Sequence, residues 1–483
     1  MSRSSAPQHS AAGIGPSGGL RTEHDMLGDV DVPADAYFGA HTARAVANFP
    51  ITGETLAARP HLINALAAVK QAAAVANAEI GALDRERADA ITAACTEIRH
   101  GALHEQFVVD LIQGGAGTST NMNANEVIAN RALELLGRRR GEYSALHPLD
   151  HVNLGQSTND VYPTAVKLAL DGQIAELLGA LGPLREAFEG KAAEFADVLK
   201  MGRTQLQDAV PMTLGQEFGA FAATLAEDEQ RLAEARLLLH ELNLGGTAIG
   251  TGLNARPGYR ERAVEQLRRL TGIPTLVSSP DLIEATQDVG VFVQLSGVLK
   301  RVAVKLSKIC NDLRLLSSGP QAGLGEITLP ARQAGSSIMP GKVNPVIPEA
   351  INQIAFEIIG NDVTVTLAAE GGQLQLNAFE PIIARSLTAG LDHLTAGIGV
   401  LTEHCVRGIA ANRPRLAEIV ATSTGLVTAL SPTIGYETAC AIALESHRTG
   451  RPALDLVRER ELLTEAELRA LTSPASLTGR PAT

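Results

Sequence analysis

Three long stretches with few glycine or proline residues constrain the fold of this 483-residue chain more than any other feature. Alanine and leucine, both strong helix formers, are frequent between the turns that bound them. As helices they would each extend about 45 Å or more, well beyond the usual length in a globular protein. The stretches are residues 164–201, 211–244 and 282–316.

The third stretch predicts a helix that is apolar on more than one side. Such a helix must be buried among other helices, which often belong to another subunit. We therefore predict an oligomer built around a helical bundle, to which residues 351–367 would add a further helix. The apolar residues of the third stretch are Val291, Val293, Leu295, Val298, Leu299, Val302, Val304, Leu306 and Ile309.

Composition supports an all-α fold, because aromatic residues make up only 3% of the chain and tryptophan is absent. Alanine and leucine dominate and are strong helix formers, whereas strands favour aromatic and β-branched residues. The length exceeds that of one compact core and suggests several units of about 150 residues. We predict a disordered tail over 1–21, a mainly helical domain over 22–157, a central long-helix bundle over 158–412 and a small helical domain over 413–483. The segment 22–53 is expected to be irregular.

Charge, hydropathy and cysteine usage exclude several classes of partner. The net charge is −12, with 41 basic and 53 acidic residues, whereas nucleic-acid binding requires clustered lysine and arginine. No apolar run reaches the ~18 residues of a membrane span. Four widely spaced cysteines without a CxxC pair indicate a reducing compartment. We expect a cytoplasmic protein with neither nucleic acid nor membrane as partner, although the acid-free first twenty residues leave a transit peptide open.

Several common catalytic motifs are missing from the sequence. The twelve histidines do not cluster with metal-ligand spacing, and no HExxH is present, so no metal site is predicted. The Gly335–Lys342 spacing has one residue too many for a phosphate-binding P-loop, and Val343 stands where serine or threonine must hold magnesium. A GxSxG elbow is also absent, which argues against an α/β-hydrolase.

Four polar segments that contain or border on glycine interrupt the predicted helices. Together they could present neutral hydroxyl and amide donors with one lysine, which suits a small dicarboxylate. The alternative is that their serine, threonine and asparagine residues cap helices. The segments are Gly114-Gly115-Ala116-Gly117-Thr118-Ser119, Gln156-Ser157-Thr158-Asn159-Asp160, Gly202-Arg203-Thr204-Gln205-Leu206-Gln207-Asp208 and Gly335-Ser336-Ser337-Ile338-Met339-Pro340-Gly341-Lys342-Val343-Asn344-Pro345.

The last of these segments closely resembles the signature loop of the aspartase/fumarase superfamily, whose members eliminate an amine or water to give fumarate. The resemblance extends from about Thr22 to about Leu471. It implies a three-domain, all-α fold whose long central bundle assembles into a multi-helix core as a homotetramer. It also implies active sites shared between three subunits and no required cofactor, and it leaves open activation by a divalent cation.

The resemblance assigns a role to each matching residue. Ser336 would be the general base that removes a proton from the carbon next to a carboxylate, with substrate binding alone as the alternative role. Ser337 and the loop amides would bind that carboxylate as it becomes an enediolate. The other carboxylate would be bound by Thr204, Lys342 and Asn344. The residues implied to hold the first carboxylate and the leaving amine are Thr118, Ser157, Thr158 and Asn159.

The chemistry implied for Ser336 is demanding. The enediolate carries two negative charges and must be stabilised by preorganised donors. A neutral serine is a poor base, so its alkoxide needs nearby positive potential and exclusion of water. We expect Lys342 to contribute the first and closure of the glycine-flanked loop the second.

A few positions favour the ammonia-lyase branch of the superfamily. Fumarases usually have serine at the positions of Thr158 and Ala116 and histidine at that of Gln205. A neutral amide cannot supply a titrating proton, which suits an amine leaving group better than water. Glu349, which pairs with that histidine in relatives, is expected only to accept a hydrogen bond from Gln205. Segments 200–218 and 309–316 also resemble bacterial aspartases.

The resemblance therefore implies reversible conversion of L-aspartate to fumarate and ammonia through abstraction of a Cβ proton. A class II fumarate hydratase is the nearest alternative. A non-catalytic relative similar to the structural crystallins, or an aspartate-binding protein without turnover, would belong to a different functional class.

Overall fold

The computed structural model describes residues 19–479, which form an all-α fold with a few short strands. The α-helices, in chain order, are α1 Ala40–Asn48, α2 Pro60–Glu79, α3 Arg85–Arg99, α4 Thr118–Leu135, α5 Thr158–Glu194, α6 Leu214–Leu238, α7 Tyr259–Thr271, α8 Leu282–Gln287, α9 Gly290–Leu316, α10 Val346–Glu370, α11 Glu380–His404, α12 Arg413–Thr422, α13 Val427–Ile434, α14 Tyr436–Thr449, α15 Ala453–Glu459, α16 Glu465–Leu471 and α17 Pro474–Thr478. A π-helical turn covers Pro148–Val152.

The strands form two-stranded sheets only. They are β1 Leu20–Asp25, β2 Gly28–Pro33, β3 Leu199–Thr204, β4 Gln207–Thr213, β5 Glu241–Leu242, β6 Val277–Ser278, β7 Ile327–Thr328 and β8 Ala410–Ala411. The pairs β1–β2, β3–β4 and β7–β8 are antiparallel, and the pair β5–β6 is parallel. Each pair is too small to form a core of its own, so the strands serve mainly to fix turns and chain crossings.

The chain divides into two compact units. Among the described residues, unit 1 comprises the chain up to Gln173 together with Arg236–Gln294 and Val363–Thr388. Unit 2 comprises Ile174–Ala235, Leu295–Asp362 and the described chain from Ala389 onwards. The long helices α5, α6, α9, α10 and α11 each contribute residues to both units. This division does not follow the three domains predicted from the sequence, and those domains stay a prediction.

The predicted long helices are present, with ends that differ from the prediction. The helix predicted over 164–201 is α5, of 37 residues, and residues 199–201 belong instead to the β3–β4 hairpin. The helix predicted over 282–316 is interrupted at Asp288, whose backbone is extended. The Asp288 carboxylate accepts a hydrogen bond from the amide of Gly290 at 3.0 Å. A side chain that binds the first amide of a helix favours a helix start at that point. The contact therefore separates α8, which ends at Gln287, from α9, which begins at Gly290.

The segment predicted to be irregular, residues 22–53, contains the β1–β2 hairpin and helix α1. Its two strands are short and mostly polar. In β2 the apolar alternation is limited to Val30 and Val32, which is too weak a pattern to predict a strand. Leu20 and Arg21, which were assigned to the disordered tail, lie in β1. Residues 1–18 of that predicted tail lie outside the described residues.

The core of unit 1 is built around α2, which is buried on most of its surface. Many of its buried positions are alanine, and small side chains let neighbouring helices approach closely on several sides. Helix α2 packs against α3, α4 and α7. One buried position on α2 is a lysine, Lys70, whose side chain is fully inaccessible.

No helix between residues 19 and 479 is long and apolar enough to cross a membrane.

Unit 2 contains a cluster of aromatic rings between α5 and α6. The rings of Phe195 and Phe218 lie 5.4 Å apart edge to face, and Phe188, Phe218 and Phe221 contact one another with ring centroids 5.6–5.9 Å apart. The helices after Asn412 bury a further core of their own. Its fully buried residues are Val427, Leu430, Ala439, Ile442, Ala453, Leu456, Val457 and Leu468.

We predict that Phe218→Ala lowers the free energy of unfolding by about 3–5 kcal/mol, because it removes a buried ring from a close-packed cluster. Leu444→Ala is the matched control, since Leu444 is 71% exposed, and its effect should stay below about 0.5 kcal/mol. Chemical denaturation followed by circular dichroism measures both. Equal losses in the two variants would contradict the role given to the cluster.

Candidate functional site

Unit 1 contains a cavity of about 1020 Å³. Its walls come from the first turns of α4 and α5, the π-helical turn, the β1–β2 turn and the segment 247–254. Three residues predicted to bind substrate, Thr118, Ser157 and Thr158, line it together. The structure thus brings together two segments that lie some forty residues apart in the sequence.

The first turn of α5 places Ser157 and Thr158 at the cavity. The Ser157 hydroxyl accepts a hydrogen bond from the amide of Asn159 at 3.2 Å, and the Asp160 carboxylate accepts one from the amide of Ser157 at 2.9 Å. This reciprocal arrangement is similar to a capping box, except that the Ser157 hydroxyl binds the second helical amide instead of the third. The alternative that some of these residues cap helices is therefore correct for Ser157, and capping fixes its orientation at the cavity wall.

The first turn of α4 is preceded by three residues with left-handed backbone, Gly115, Ala116 and Gly117. A Cβ at Gly117 would lie 2.5 Å from the ring of Tyr162, so only glycine fits there. The following Thr118 hydroxyl donates to the carbonyl of Gly115 at 2.7 Å. Positive φ at Ala116 costs free energy, and such strain is found most often at functional sites.

Two helix N-termini therefore meet at one cavity, those of α4 and α5. Unpaired amides and the helix dipole make such ends favourable for anions. The surrounding side chains are mainly neutral hydroxyls and amides. This combination can receive a carboxylate without burying an excess of fixed charge.

The amides that support these hydroxyls were not predicted from the sequence. The Asn121 amide donates to Thr158 Oγ1 at 3.0 Å and to Asn153 Oδ1 at 3.2 Å. Asn121 and Asn153 line the cavity, as do Gln156 and Thr247. One sequence feature could have revealed them, since asparagine recurs at 121, 123 and 125, in the segment that forms α4. Asparagine disfavours helix interiors unless its amide has a specific partner.

Two buried carboxyl groups hold this part of unit 1 in place. Asp160 accepts hydrogen bonds from the amides of Gly245 and Thr247 at 2.9 and 3.0 Å, and burial raises its pKa to about 6. Glu126 lines the cavity and accepts four hydrogen bonds from residues 39–42 at the start of α1. Burial raises the pKa of Glu126 to about 7 although these donors favour the carboxylate. Both groups bind backbone amides and so act mainly on the shape of the cavity.

Asn159, also predicted to bind substrate, is not among the residues that line the cavity. Its side-chain amide donates to the carbonyl of Ala248 at 2.7 Å. The Asn243 amide in turn donates to the carbonyl of Asn159 at 2.9 Å. The observed role of Asn159 is to join α5 to the segment after β5, and its role in binding stays a prediction.

Thr204 and Gln205 lie at the tip of the β3–β4 hairpin in unit 2. Gln205 and Leu206 both have positive φ, 54° and 64°, which gives the tight two-residue turn that suits twisted strands. The tip is exposed. Below it, Arg203 pairs with the fully buried Glu326, which also pairs with Lys200 at 3.0 Å. These charges fix the base of the hairpin.

The Gly335 loop is also in unit 2, and its ends are joined by two hydrogen bonds. The amide of Gly335 donates to the carbonyl of Lys342 at 2.7 Å, and the Asn344 side chain donates to the carbonyl of Gly335 at 2.7 Å. A Cβ at Gly335 would lie 2.6 Å from the Lys342 carbonyl oxygen, so this crossing requires glycine. Asn344, predicted to bind a carboxylate, thus also closes the loop. Ser337 and Lys342 are exposed.

The Ser336 hydroxyl accepts two hydrogen bonds from its own loop. The amides of Ile338 and Met339 donate to Ser336 Oγ at 3.1 and 2.8 Å. Donors directed at an oxygen favour its negatively charged form. The loop amides that were predicted to bind a carboxylate are, in this conformation, directed at the predicted base.

Glu349 lies in the first turn of α10, half-buried. Within the described chain no hydrogen bond joins it to Gln205, and none joins the hairpin tip to the Gly335 loop. The predicted Gln205–Glu349 hydrogen bond stays a prediction. Over residues 19–479 there is no group of three or more histidine, cysteine, aspartate or glutamate side chains that could hold a metal ion.

Comparison with known proteins gives matches over almost the whole chain. A family described as lyase matches residues 28–360, and a family described as fumarase C C-terminus matches residues 426–479. The chain is 59% identical to a Pseudomonas aeruginosa protein named aspartate ammonia-lyase, over 96% of this chain and 98% of that protein.

Two solved structures are also similar. A Brucella melitensis protein described as fumarate lyase:delta crystallin bound to cobalt is 55% identical, with a TM-score of 0.92 over 94% of this chain and 98% of that one. A recombinant class II fumarase from Schistosoma mansoni is 37% identical, with a TM-score of 0.90 over 94% of this chain and 98% of that one. The chain therefore belongs to the lyase family of the aspartase/fumarase superfamily.

Proposed function

We propose that this protein is a carbon–nitrogen lyase that reversibly converts L-aspartate to fumarate and ammonia. The observation that carries this function is the 59% identity to an aspartate ammonia-lyase over 96% of the chain. Identity to the Schistosoma mansoni fumarase is much lower, 37%. The subfamily residues Thr158 and Gln205 favour the same choice.

In the proposed mechanism Ser336 removes the Cβ proton of aspartate. The two loop amides at Ser336 Oγ stabilise the alkoxide that this step requires, because hydrogen bonds to the charged form favour it. Lys342, a few residues further along the loop, adds positive potential. Loss of the Cβ proton gives an enediolate, and cleavage of the Cα–N bond then yields fumarate and ammonia.

Neutral donors hold the substrate in this proposal. The N-termini of α4 and α5 present Thr118, Ser157 and Thr158 to one carboxylate and the amine, as hydroxyl and amide donors suit an anion. Thr204, Lys342 and Asn344 bind the other carboxylate. Gln205 hydrogen-bonds near the leaving amine without supplying a proton, since an amide does not titrate.

We propose a homotetramer whose active sites each draw on three subunits. Support comes from α10, which exposes Phe356, Val363 and Leu367 to 62%, 58% and 65%. Their spacing of seven and four residues places them on one face of the helix. Exposed large apolar side chains in one stripe mark a surface for another protein chain.

The proposed reaction requires no redox cofactor, because elimination changes no overall oxidation state of the substrate carbon skeleton. We also propose a cytoplasmic location. The cysteines support it: Cys95, Cys310 and Cys405 are buried free thiols, and Cys440 is a half-buried one. Free thiols are typical of reducing compartments.

We predict that the purified protein produces fumarate from L-aspartate and none from L-malate, as followed by ultraviolet absorbance. In Ser336→Ala, kcat should fall by about 10²–10⁴-fold, the usual contribution of a general base. The KM for aspartate should change little, because the cavity residues of unit 1 remain. Ser317→Ala is the matched control.

Fumarate from malate alone would show that the protein is a fumarate hydratase. The role of Ser336 as general base would not be affected. No fumarate from either substrate would contradict the proposed reaction. An unchanged kcat in Ser336→Ala would contradict the role of Ser336.

We predict that Gly335→Ala lowers kcat by about a hundredfold, because its Cβ forces the loop crossing apart and displaces Ser336. Gly341→Ala is the matched control in the same loop. Its φ is +77°, but a Cβ there meets no atom within 4 Å, so the added strain of about 1–2 kcal/mol is not accompanied by a clash. Steady-state kinetics measures both variants. Equal losses of kcat would show that the Gly335 crossing does not position the base.

We predict that Ser336→Ala and Thr158→Val, each nearly inactive alone, regain activity when they are unfolded, mixed and refolded together. In mixed tetramers some sites would combine a native Ser336 from one subunit with a native Thr158 from another. If the subunits assemble at random, about a quarter of all sites would have both. Fumarate production and native mass spectrometry measure the outcome. Absence of recovery in confirmed mixed tetramers would place both segments in one subunit.

A further inference from the structure

The fully buried Lys70 lies directly behind the wall of the unit 1 cavity. Its Nζ donates to Asn153 Oδ1 at 2.8 Å and to Gln156 Oε1 at 3.0 Å, and both of these amides line the cavity. In the described residues no carboxylate forms an ion pair with it. A buried cation without a paired anion is costly, so the surroundings must compensate it in some state of the protein.

A short chain of hydrogen bonds connects Lys70 to a predicted substrate-binding hydroxyl. Asn153 Oδ1 accepts from Lys70 Nζ and also from the amides of Asn121 and Asn125, both at 3.2 Å. Asn121 also donates to Thr158 Oγ1 at 3.0 Å. Because Thr158 Oγ1 accepts this hydrogen bond, its own proton is directed elsewhere and is available to a ligand.

We infer that Lys70 is a positioning residue for anion binding in this cavity: it fixes Asn153 and, through Asn121, Thr158, and it supplies the positive charge that a bound dicarboxylate balances. The inference rests on the proposed function, which makes the ligand a dicarboxylate. The charge of Lys70 explains how a cavity lined mainly by neutral donors attracts a dianion. The charge lies one layer behind the wall, where it cannot form a tight ion pair that would hinder product release.

The electrostatic surroundings of Lys70 define how its charge depends on pH. Burial lowers the pKa of Lys70 to about 7, and Asp160 and Cys95 oppose this shift. Above pH 7 Asp160, with a pKa of about 6, is ionised. Cys95, with a pKa of about 12, is neutral, as is Tyr259 of α7, which lies near Asp160 and whose pKa is raised by burial. The π-helical turn presents amides, and α4 adds Glu126, which lines the cavity and whose pKa burial raises to about 7. Lys70 and Glu126 therefore both change charge near pH 7, and a variant that removes only Lys70 separates them.

The charge of Lys70 and the binding of a dicarboxylate are linked. In the empty site Lys70 is charged below pH 7 and loses its proton as the pH rises through 7. A bound dianion favours the charged form, so binding above pH 7 requires uptake of a proton. The Kd of a dicarboxylate should therefore rise by up to about tenfold per pH unit above 7.

Calorimetric titration of the intact protein with succinate tests this inference. Succinate has two carboxylates and no amine, and it is fully ionised over the range from pH 7 to 8.5. For the wild type we expect the Kd to rise between pH 7 and 8.5. For Lys70→Met we expect a Kd about tenfold to a hundredfold higher at pH 7, the usual worth of a hydrogen bond to a charged group, and a smaller rise with pH than in the wild type, because Glu126 remains. The cavity histidines are present in both proteins, so the part of the pH dependence that is lost in the variant belongs to Lys70.

Lys167→Met is the matched control, because Lys167 is another buried lysine of unit 1, and its Nζ donates to the carbonyl of Glu241 at 2.7 Å. It should lower stability and leave the Kd of succinate and its pH dependence unchanged. A wild-type Kd that is independent of pH overturns the inference by itself. If Lys70→Met fails to fold, Lys70→Gln takes its place, because Glu126 remains in both variants and only the comparison with a Lys70 variant separates the two groups.

The two proposals fail in distinguishable ways. A wild type that makes fumarate from aspartate, with Lys70→Met binding succinate as tightly as the wild type, overturns the role of Lys70 only. A wild type that neither makes fumarate from aspartate nor binds succinate overturns the proposed function and the inference with it.

Discussion

The carboxylate of Asp160 is the interaction on which the candidate site in unit 1 depends. It lies within the first turn of α5, is fully buried, and accepts backbone amides from Ser157 on one side and from Gly245 and Thr247 on the other. A hydrogen bond to a charged group is worth about 1.5–3 kcal/mol, and three of them offset part of the desolvation that raises the pKa of this carboxylate to about 6. The same bonds fix the start of a 37-residue helix against a loop without secondary structure. The hydroxyls that face the cavity take their positions from this junction.

Much of the fold was accessible from the sequence. Long stretches poor in glycine and proline predicted the helices α5, α6 and α9, because helix propensity and apolar periodicity agreed over many residues. The ends of these helices were not predictable in the same way. Residues 199–201 are compatible with a helix, and only their pairing with β4 makes them a strand. The β1–β2 hairpin was missed because polar strands of six residues carry little periodic pattern.

The site shows a similar division. Thr118, Ser157 and Thr158 were recognised from their loops, and unit 1 brings them to one cavity. The amides behind them and Lys70 were not recognised, because a buried lysine in an alanine-rich helix has the same sequence pattern as one whose ammonium group reaches solvent. Spacing also could not separate capping from binding. Ser157 caps α5 and faces the cavity at once, so the two interpretations of its hydroxyl were never exclusive.

The Gly335 loop contains its own stabilisation for the oxygen of Ser336, in the amides of Ile338 and Met339. The residue that faces the leaving group in the proposed mechanism, Gln205, lies in a separate hairpin. In the proposed mechanism, proton removal and leaving-group chemistry are thus assigned to different segments of the chain. A lineage with this architecture can exchange one leaving group for another by changing the hairpin tip, while the apparatus for breaking the carbon–hydrogen bond is inherited unaltered. Such modularity offers a physical reason for one fold to support several related eliminations.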